Sequence, residues 1–242
     1  MINENSKILK HGLSEFGITV TNNQLQQFKY YADELITWNS KFNLTAINTT
    51  KDIYTLHFLD SISAIACSDT TLTPEINICD IGSGAGFPGL VIKILYPNSK
   101  ITLVESSKKK CIFLEHITNK LQLENVQILS TRIEALGQNQ TMREAFDVVT
   151  ARAVSKIPTL LEYGLPLVKV KGILLDFSKN DLITDQDDIS RVSSLLGGSF
   201  IEIHKVSSSY LAKDKIIIKI YKIQPTENSY PRRIGIPTKR PL

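Results

Sequence analysis

One glycine-rich loop, Asp80-Ile81-Gly82-Ser83-Gly84-Ala85-Gly86, sets the fold. The apolar run 76–81 predicts a buried strand entering this loop, and 87–95 predicts a helix leaving it, with Pro88 in its first turn. Glycine is required where the backbone takes a positive φ or approaches a ligand closely. In open α/β sheets, ligands bind outside the carboxyl ends of the strands, near such turns. The loop therefore predicts a ligand site after the first strand of an α/β sheet.

Two cofactors compete for this loop. Dinucleotide sites take the form Gly-x-Gly-x-x-Gly, but here the third glycine, Gly86, comes one residue early. Asp80 precedes the first glycine, where a carboxylate can help to hold an amino-acid moiety. Glu105, at the end of the next predicted strand, can accept hydrogen bonds from ribose hydroxyls, a role that both cofactors share. Asp80 and the glycine spacing favour S-adenosylmethionine, and a purely structural glycine turn is the alternative.

Strands and helices alternate after the loop. Strands are predicted at 101–105, 126–129, 146–150 and 172–177, and helices at 107–121, 159–168 and 187–196. This alternation is typical of a doubly wound parallel sheet. Strands at 200–206 and 215–222 are only eight residues apart, which suits a hairpin-type connection. We predict an α/β, class I Rossmann-like methyltransferase fold: a mostly parallel seven-stranded sheet with an antiparallel edge strand.

Helices precede the sheet. Residues 21–24 have the form of a capping box, and the apolar spacing that follows predicts a helix to Trp38. A second helix is predicted from about 53 to 66, and a weaker one at 7–16. We expect three parts: an N-terminal helical extension (1–72) ended by Pro74, a Rossmann-like domain that binds S-adenosylmethionine (73–224), and a basic C-terminal tail (225–242).

Composition and charge limit the classes of protein to which the chain can belong. The net charge is +4, and residues 205–242 carry nine basic and two acidic side chains, which indicates either a polyanion partner or a solubilising tail. Three cysteines, Cys67, Cys79 and Cys111, form no CxxC pair, so neither a disulfide framework nor a metal site is expected. Neither a secretory signal nor a membrane-length apolar run is present. We therefore expect a cytoplasmic protein that binds no membrane.

Short motifs follow one another along the chain. They are Trp38-Asn39, Asn43-Leu44-Thr45-Ala46, His57 with Asp60-Ser61, the loop extended to Phe87-Pro88-Gly89, Ser107 with Lys109-Lys110, Thr131-Arg132-Ile133-Glu134, Phe146-Asp147, Ala151-Arg152-Ala153, and Tyr230-Pro231-Arg232-Arg233 with Gly235, Pro237, Lys239 and Pro241-Leu242. In this order they resemble the RsmG (GidB) family of 16S rRNA guanine-N7 methyltransferases, and the resemblance covers nearly the whole chain.

The resemblance implies an activity, a substrate and residue roles. The activity would be methyl transfer from S-adenosylmethionine to guanine N7 of one guanosine in the decoding-region loop of 16S rRNA. The substrate would be free RNA or the small ribosomal subunit, with no obligatory protein partner. Cofactor-binding residues would be Asp80, Gly82, Gly84, Gly86, Phe87, Glu105, Ile133, Glu134 and Arg152; catalytic residues Arg152, Asn43 and His57; RNA-binding residues Lys109, Arg132, Arg232 and Arg233. No metal is implied.

Guanine N7 carries an exposed lone pair, so the reaction needs positioning more than a general base. Arg152 would then hold guanine O6, the RNA backbone or the cofactor carboxylate. Structural roles remain open for several residues: a salt bridge for Arg152, a core histidine paired with Asp60 for His57, and a turn for Asn43. The alternative functions are an NAD-type oxidoreductase, a methyltransferase of this fold acting on another RNA, and a non-catalytic RNA-binding module.

Overall fold

The computed structural model describes residues 4–67, 75–179 and 186–242. Its helices are α1 (Glu4–Glu15), α2 (Asn22–Phe42), α3 (Thr50–Asp52), a π-helical segment (Ile53–Leu59), α4 (Asp60–Cys67), α5 (Gly89–Leu95), α6 (Lys108–Lys120), α7 (Ile133–Gly137), α8 (Ile157–Gly164), α9 (Gln186–Leu195) and α10 (Ile236–Lys239). Its strands are β1 (Asn77–Ile81), β2 (Lys100–Glu105), β3 (Val126–Ser130), β4 (Phe146–Arg152), β5 (Val168–Lys179), β6 (Gly198–Lys205) and β7 (Lys215–Lys222).

The seven strands form one sheet in the order β3-β2-β1-β4-β5-β7-β6. Strands β1 to β5 pair in parallel, and β7 runs antiparallel between β5 and β6. The predicted α/β, mostly parallel seven-stranded fold is confirmed. An antiparallel edge strand was predicted, and the antiparallel strand, β7, lies next to the edge strand β6. The strand order reverses between β1 and β4, which is where open α/β sheets bind ligands.

Both faces of the sheet are buried. Along the strands, alternate residues enter two separate hydrophobic cores: Leu103 and Leu175 lie in one, and Val104 and Leu174 in the other. This period of two follows from the pleat. The first core includes residues of α1, α2 and α4 to α6, and the second includes residues of α7 to α9. The N-terminal helices therefore share one core with the sheet. The three-part division stays a prediction, and its boundary at 72/73 and Pro74 lie outside the described residues.

The N-terminal helices begin and end largely where local signals place them. Thr21 and Gln24 form the predicted capping box, with Gln24 N donating to Thr21 Oγ1 at 3.2 Å and Thr21 N donating to Gln24 Oε1 at 2.9 Å. α2 continues past Trp38 to Phe42 and ends at Asn43, whose φ of 48° is left-handed. The helix predicted from 53 to 66 is present, but its first part, Ile53–Leu59, is a π-helix, a geometry often found at functional sites.

Two predicted helix boundaries were wrong, and two short helices, α7 and α10, were not predicted. α5 begins at Gly89 rather than at 87, because Phe87 N and Gly86 N donate to Ser83 O and belong to the loop's own turn. α8 ends at Gly164 rather than at 168, because Pro166 cannot continue a helix and Val168 begins β5. The tail contains the short helix α10, although its sequence has no helical periodicity.

The Asp80 carboxyl group lies beneath the glycine-rich loop and is fully buried. Its Oδ2 accepts a hydrogen bond from Gly89 N at 3.1 Å, and its Oδ1 accepts one from Thr150 Oγ1 at 3.0 Å. Burial raises its pKa to about 7, against the lowering effect of these hydrogen bonds. One side chain thus joins β1 to β4 and to the start of α5.

We expect Asp80→Ala to lower the free energy of unfolding by about 2–4 kcal/mol, because it removes two buried hydrogen bonds and leaves two donors unpaired. Urea unfolding at pH 7 measures this loss. Asp33→Ala is the control, since Asp33 pairs with Lys29 on the exposed face of α2 and such pairs contribute about 0.5 kcal/mol or less. Equal losses in the two variants would contradict a central role for Asp80.

Candidate active site

Two cavities adjoin at the carboxyl ends of the parallel strands, and both are lined by Gly82 and Ala153. The cationic cavity, of about 480 Å³, contains the side chains of Lys110, Arg152, Lys215 and Asp60. The acidic cavity, of about 310 Å³, is lined by Glu105 at the end of β2, residues 131–134 after β3, and Tyr163 and Thr238. Together they form a candidate site at the point where the strand order reverses.

The glycine-rich loop contributes to the lining of both cavities. Gly82 has a φ of 68°, and a Cβ at this position would lie 2.8 Å from Val154 Cγ2, so only glycine fits without displacement. The Glu105 carboxylate holds the loop: its Oε2 accepts from Gly84 N at 3.0 Å and its Oε1 from Ser107 N at 2.7 Å. Each carboxylate oxygen has two acceptor positions, so both can still accept a ligand hydroxyl.

Phe87 connects the loop to the N-terminal helices. Tyr31 of α2 stacks on the Phe87 ring at 5.3 Å, and His57 of the π-helical segment stacks on it at 4.2 Å. Tyr31 also donates a buried hydrogen bond of 2.6 Å to Ala85 O. The Arg152 guanidinium lies 5.2 Å from the centroid of the Phe87 ring. Phe87 therefore lines the cationic cavity with its ring held on several sides.

Asp60 lies between two cations. Its Oδ2 is 3.1 Å from Arg152 NH1, and its Oδ1 is 2.7 Å from Lys215 Nζ. Arg152 also donates to Leu56 O at 3.0 Å. These three charged side chains are at most 16% exposed, so the charges interact with little screening by solvent. With Lys110, the cavity carries three cations and one carboxylate, a net positive lining that suits an anionic ligand.

His57 is neutral, and its tautomer is determined by its partners. Burial, and secondarily Arg152, lowers its pKa to about 3. Arg152 NH2 lies 2.8 Å from Nδ1, and because a guanidinium only donates, Nδ1 is the acceptor. Nε2 therefore carries the proton and donates to Thr45 Oγ1 at 2.9 Å. Ile47 N also donates to Thr45 Oγ1, at 3.1 Å, so the Thr45 hydroxyl has its own proton left to donate at the cationic cavity.

The acidic cavity collects most of the other residues predicted to bind the cofactor. Ile133 and Glu134 begin α7, and Arg132 precedes them as an exposed side chain at the rim. Glu134 is 5% exposed, and its Oε1 accepts from Gly235 N at 2.9 Å and from Tyr163 Oη at 3.3 Å. The cavity thus has a carboxylate at each of two walls, from Glu105 and Glu134.

Several predicted site residues lie elsewhere. Asp80 is buried beneath the loop and lines neither of the two cavities. Asn43 is exposed and caps α2 through its backbone, which matches the turn interpretation. Lys109 is exposed beside the cationic cavity, and Lys110 lines it. Arg233 is exposed, whereas Arg232 is partly buried, with its NH2 2.6 Å from Glu162 Oε2.

The cavity residues with no role assigned from the sequence include Thr45, Phe177, Lys215 and Asp60 as the partner of Arg152. Thr45 and Asp60 lie inside the quoted motifs, and this position could have indicated a role in the site. No sequence pattern indicated such a role for Lys215. Since β7 runs antiparallel, its first residue lies at the same sheet edge as the last residues of β4 and β5.

Comparison with known proteins identifies relatives over nearly the whole chain. Residues 24–197 match the family described as rRNA small subunit methyltransferase G. The ribosomal RNA small subunit methyltransferase G of Oceanobacillus iheyensis is 42% identical over 232 residues, covering 96% of this chain and 97% of the relative. The Bacillus subtilis protein of that name is 40% identical over 232 residues, covering 96% of each chain.

Solved structures show the same fold at low identity. A SAM-dependent O-methyltransferase of Thermotoga maritima has a TM-score of 0.52 and 16% identity, over 80% of this chain and 72% of its own. The CurJ carbon methyltransferase has a TM-score of 0.55 and 14% identity, over 90% and 71%. In the described part of the chain, no helix is long and apolar enough to cross a bilayer. No group of three or more His, Cys, Asp or Glu side chains in the ranges given above is arranged to hold a metal ion.

The low pKa of His57 makes stability depend on pH. Well above pH 6.5 the imidazole is neutral in both the folded and the unfolded chain. Below pH 6.5 the unfolded chain binds a proton that the folded protein excludes until about pH 3, so stability falls as pH falls, by up to about 1.4 kcal/mol per unit. We expect His57→Asn to lose less stability than wild type between pH 6.5 and 5 in urea unfolding.

His11→Asn is the control for this measurement, because His11 is an exposed side chain on α1. It should follow the wild-type pH dependence. A His57→Asn variant that also follows it would show that His57 is not held neutral by burial.

Proposed function

The chain belongs to the rRNA small subunit methyltransferase G family, and we propose on this basis that it transfers a methyl group from S-adenosylmethionine to guanine N7 of one guanosine in the decoding-region loop of 16S ribosomal RNA. The observation that carries the proposal is the pair of adjoining cavities at Gly82, one lined by carboxylates and one by cations. The first suits an adenosyl group with its hydroxyls, and the second suits a nucleotide of an anionic chain.

The residues present fit the cofactor. The free acceptor positions of Glu105 suit the ribose hydroxyls, and Ile133 and Glu134 line the far wall, where an adenine ring would lie. Gly82 and Ala153 line both cavities, so one ligand could extend from one cavity to the other. The cofactor carboxylate would then meet Arg152 and Lys110. This assignment keeps Gly82, Gly84, Phe87, Glu105, Ile133 and Glu134 near the cofactor, and gives Asp80 and Gly86 a structural role.

The cationic cavity suits guanine by its hydrogen-bond donors. Bound S-adenosylmethionine supplies a methyl group activated by a sulfonium, and guanine N7 attacks it with its own lone pair. A donor must therefore hold O6 and leave N7 free. Thr45 presents a hydroxyl proton there, fixed by the acceptor role of its oxygen toward His57 and Ile47. Adenine offers an amino group at the corresponding position, so a donor at this place discriminates against adenine.

No residue needs to act as a general base in this reaction. Both nitrogens of His57 are engaged and its pKa of about 3 keeps it neutral, so we assign it a positioning role for Thr45 and Arg152. Arg152 holds His57, Leu56 O and Asp60 while it faces the cavity. The proposed substrate is 16S rRNA, free or in the small subunit, which would place the activity in the cytoplasm; no obligatory protein partner is proposed.

The proposed activity is tested by incubating the purified protein with labelled S-adenosylmethionine and unmodified small-subunit RNA or particles, followed by strand cleavage at N7-methylated guanosine. We expect one new cleavage at one guanosine. Thr45→Val should lower kcat/KM by roughly tenfold or more, because it removes the hydroxyl donor, while Thr45→Ser retains activity within about threefold. Cofactor affinity should stay unchanged in both variants.

Two results would count against this proposal. Absence of methyl transfer despite measured cofactor binding would exclude ribosomal RNA as the substrate. Equal activity of Thr45→Val and Thr45→Ser would exclude Thr45 as the guanine-reading donor and leave the reaction itself intact.

Exposed cations around the cavities should bind the RNA backbone. We expect the double variant Lys109→Ala/Arg132→Ala to bind RNA more weakly and to reduce the slope of log K against log salt by roughly 0.7 for each phosphate that is no longer neutralised. Filter binding from 50 to 300 mM salt measures both. Lys120→Ala is the control, because Lys120 is exposed at the other end of α6, about 16 Å along the helix from Lys109. A slope equal to that of wild type would remove Lys109 and Arg132 from the RNA contact.

A further inference from the structure

The C-terminal strap, residues 225–242, is bound along the outside of α7 and α8. Its first part is held by Arg143, whose guanidinium donates to four carbonyl oxygens: Gly137 and Tyr230 from NH1, and Thr226 and Glu227 from NH2, at 2.7–3.0 Å. Gln138 Nε2 adds a bond of 2.7 Å to Pro231 O. These contacts satisfy strap carbonyls that would otherwise need water, so the strap is a built part of the fold.

The middle of the strap is fixed by a buried ion pair. Glu162 of α8 has no exposed surface, and it accepts from Arg232 three times: from N at 2.8 Å, from Nε at 2.9 Å and from NH2 at 2.6 Å. Arg232 NH2 also donates to Arg240 O at 2.8 Å, which closes the strap on itself. A buried carboxylate needs such a partner, because an unpaired buried charge is strongly destabilising.

The last part of the strap reaches the acidic cavity. Gly235 N donates to Glu134 Oε1, and Thr238 lines the cavity directly. Tyr163 Oη lies 3.3 Å from Glu134 Oε1 and 2.8 Å from Thr238 Oγ1. Since the carboxylate only accepts, Tyr163 donates to it, and Thr238 donates to Tyr163. Thr159 Oγ1 adds a bond of 3.0 Å to Pro237 O.

These hydrogen bonds fix one carboxylate oxygen of Glu134, Oε1, and do not involve the other, Oε2. Oε1 takes both donors, from Gly235 and Tyr163, and in the described part of the chain no donor contacts Oε2. The strap therefore determines the orientation of the buried Glu134 carboxylate in the cavity wall. An oriented acceptor at this wall suits an exocyclic amino group such as that of adenine.

We propose that the C-terminal strap is a wall of the cofactor site: Thr238 and Gly235 hold Tyr163 and Glu134 in place and thereby raise the affinity for the adenine end of S-adenosylmethionine. The inference rests on the proposed function only in taking S-adenosylmethionine as the cofactor. It divides the basic residues of the strap by role, because Arg232 holds the strap to α8 while Arg233 and Lys239 are exposed and accessible to RNA.

The test measures affinity instead of activity. Full-length Thr238→Val keeps the shape of the side chain and removes the donor to Tyr163, and we expect S-adenosylhomocysteine to bind about three- to tenfold more weakly by isothermal titration calorimetry. Lys239→Ala changes the next residue of the same short helix, is exposed, and should bind the cofactor as wild type does. Removal of residues 230–242 should weaken binding at least about tenfold.

Measuring the affinity for adenosine shows which part of the cofactor site each substitution affects. Thr238→Val should weaken adenosine by the same factor as S-adenosylhomocysteine, whereas Arg152→Ala, in the other cavity, should weaken only the ligand that carries the amino-acid moiety. Wild-type affinity in Thr238→Val would overturn the inference, even if the truncated chain failed to fold. A wild-type protein that binds no S-adenosylmethionine would instead overturn the proposed function.

Discussion

The stacking of Tyr31 and His57 on the Phe87 ring is the contact on which the site depends. It joins three separate parts of the chain, α2, the π-helical segment and the glycine-rich loop, at one buried ring. Aromatic pairs of this kind add about 0.5–1.5 kcal/mol beyond the burial of their area. Because the N-terminal helices share a hydrophobic core with the sheet, the ring cannot move without disturbing that core. The loop, His57 and through it Arg152 therefore take one fixed arrangement.

Ion pairs hold the charged side chains of the site in place. Asp60 keeps Arg152 and Lys215 in place although both are cations in a cavity that already contains Lys110. A buried carboxylate between two cations costs desolvation, which the two ion pairs offset. The excess positive charge remains available to an anionic substrate. Neutral His57 adds no further charge and instead transmits the orientation of Arg152 to the hydroxyl of Thr45.

The two ends of the chain thus contribute to the two cavities. The N-terminal helices and the loop after α2 supply His57, Asp60 and Thr45 to the cationic cavity, and the C-terminal strap supplies Thr238 to the acidic one. The core sheet provides the loops between them, with Glu105 and Arg152 at strand ends. Basic tails often serve as mobile arms for nucleic acid, but Arg143 and Glu162 bind most of this one to the fold.

Local sequence patterns were sufficient to predict the order of the seven strands and of the longer helices, the capping box of α2, the glycine-rich loop and the position of Glu105 at the end of β2, whereas the short helices α7 and α10 were not predicted. Each depends on residues within a few positions of one another, where period and spacing report local geometry. Three other outcomes emerged only from the folded chain: Asp80 lies beneath the loop, Lys215 enters the cavity, and Arg232 faces Glu162 instead of solvent. These outcomes depend on which side chains from distant segments meet, and on the reversed direction of β7, and no local pattern encodes either.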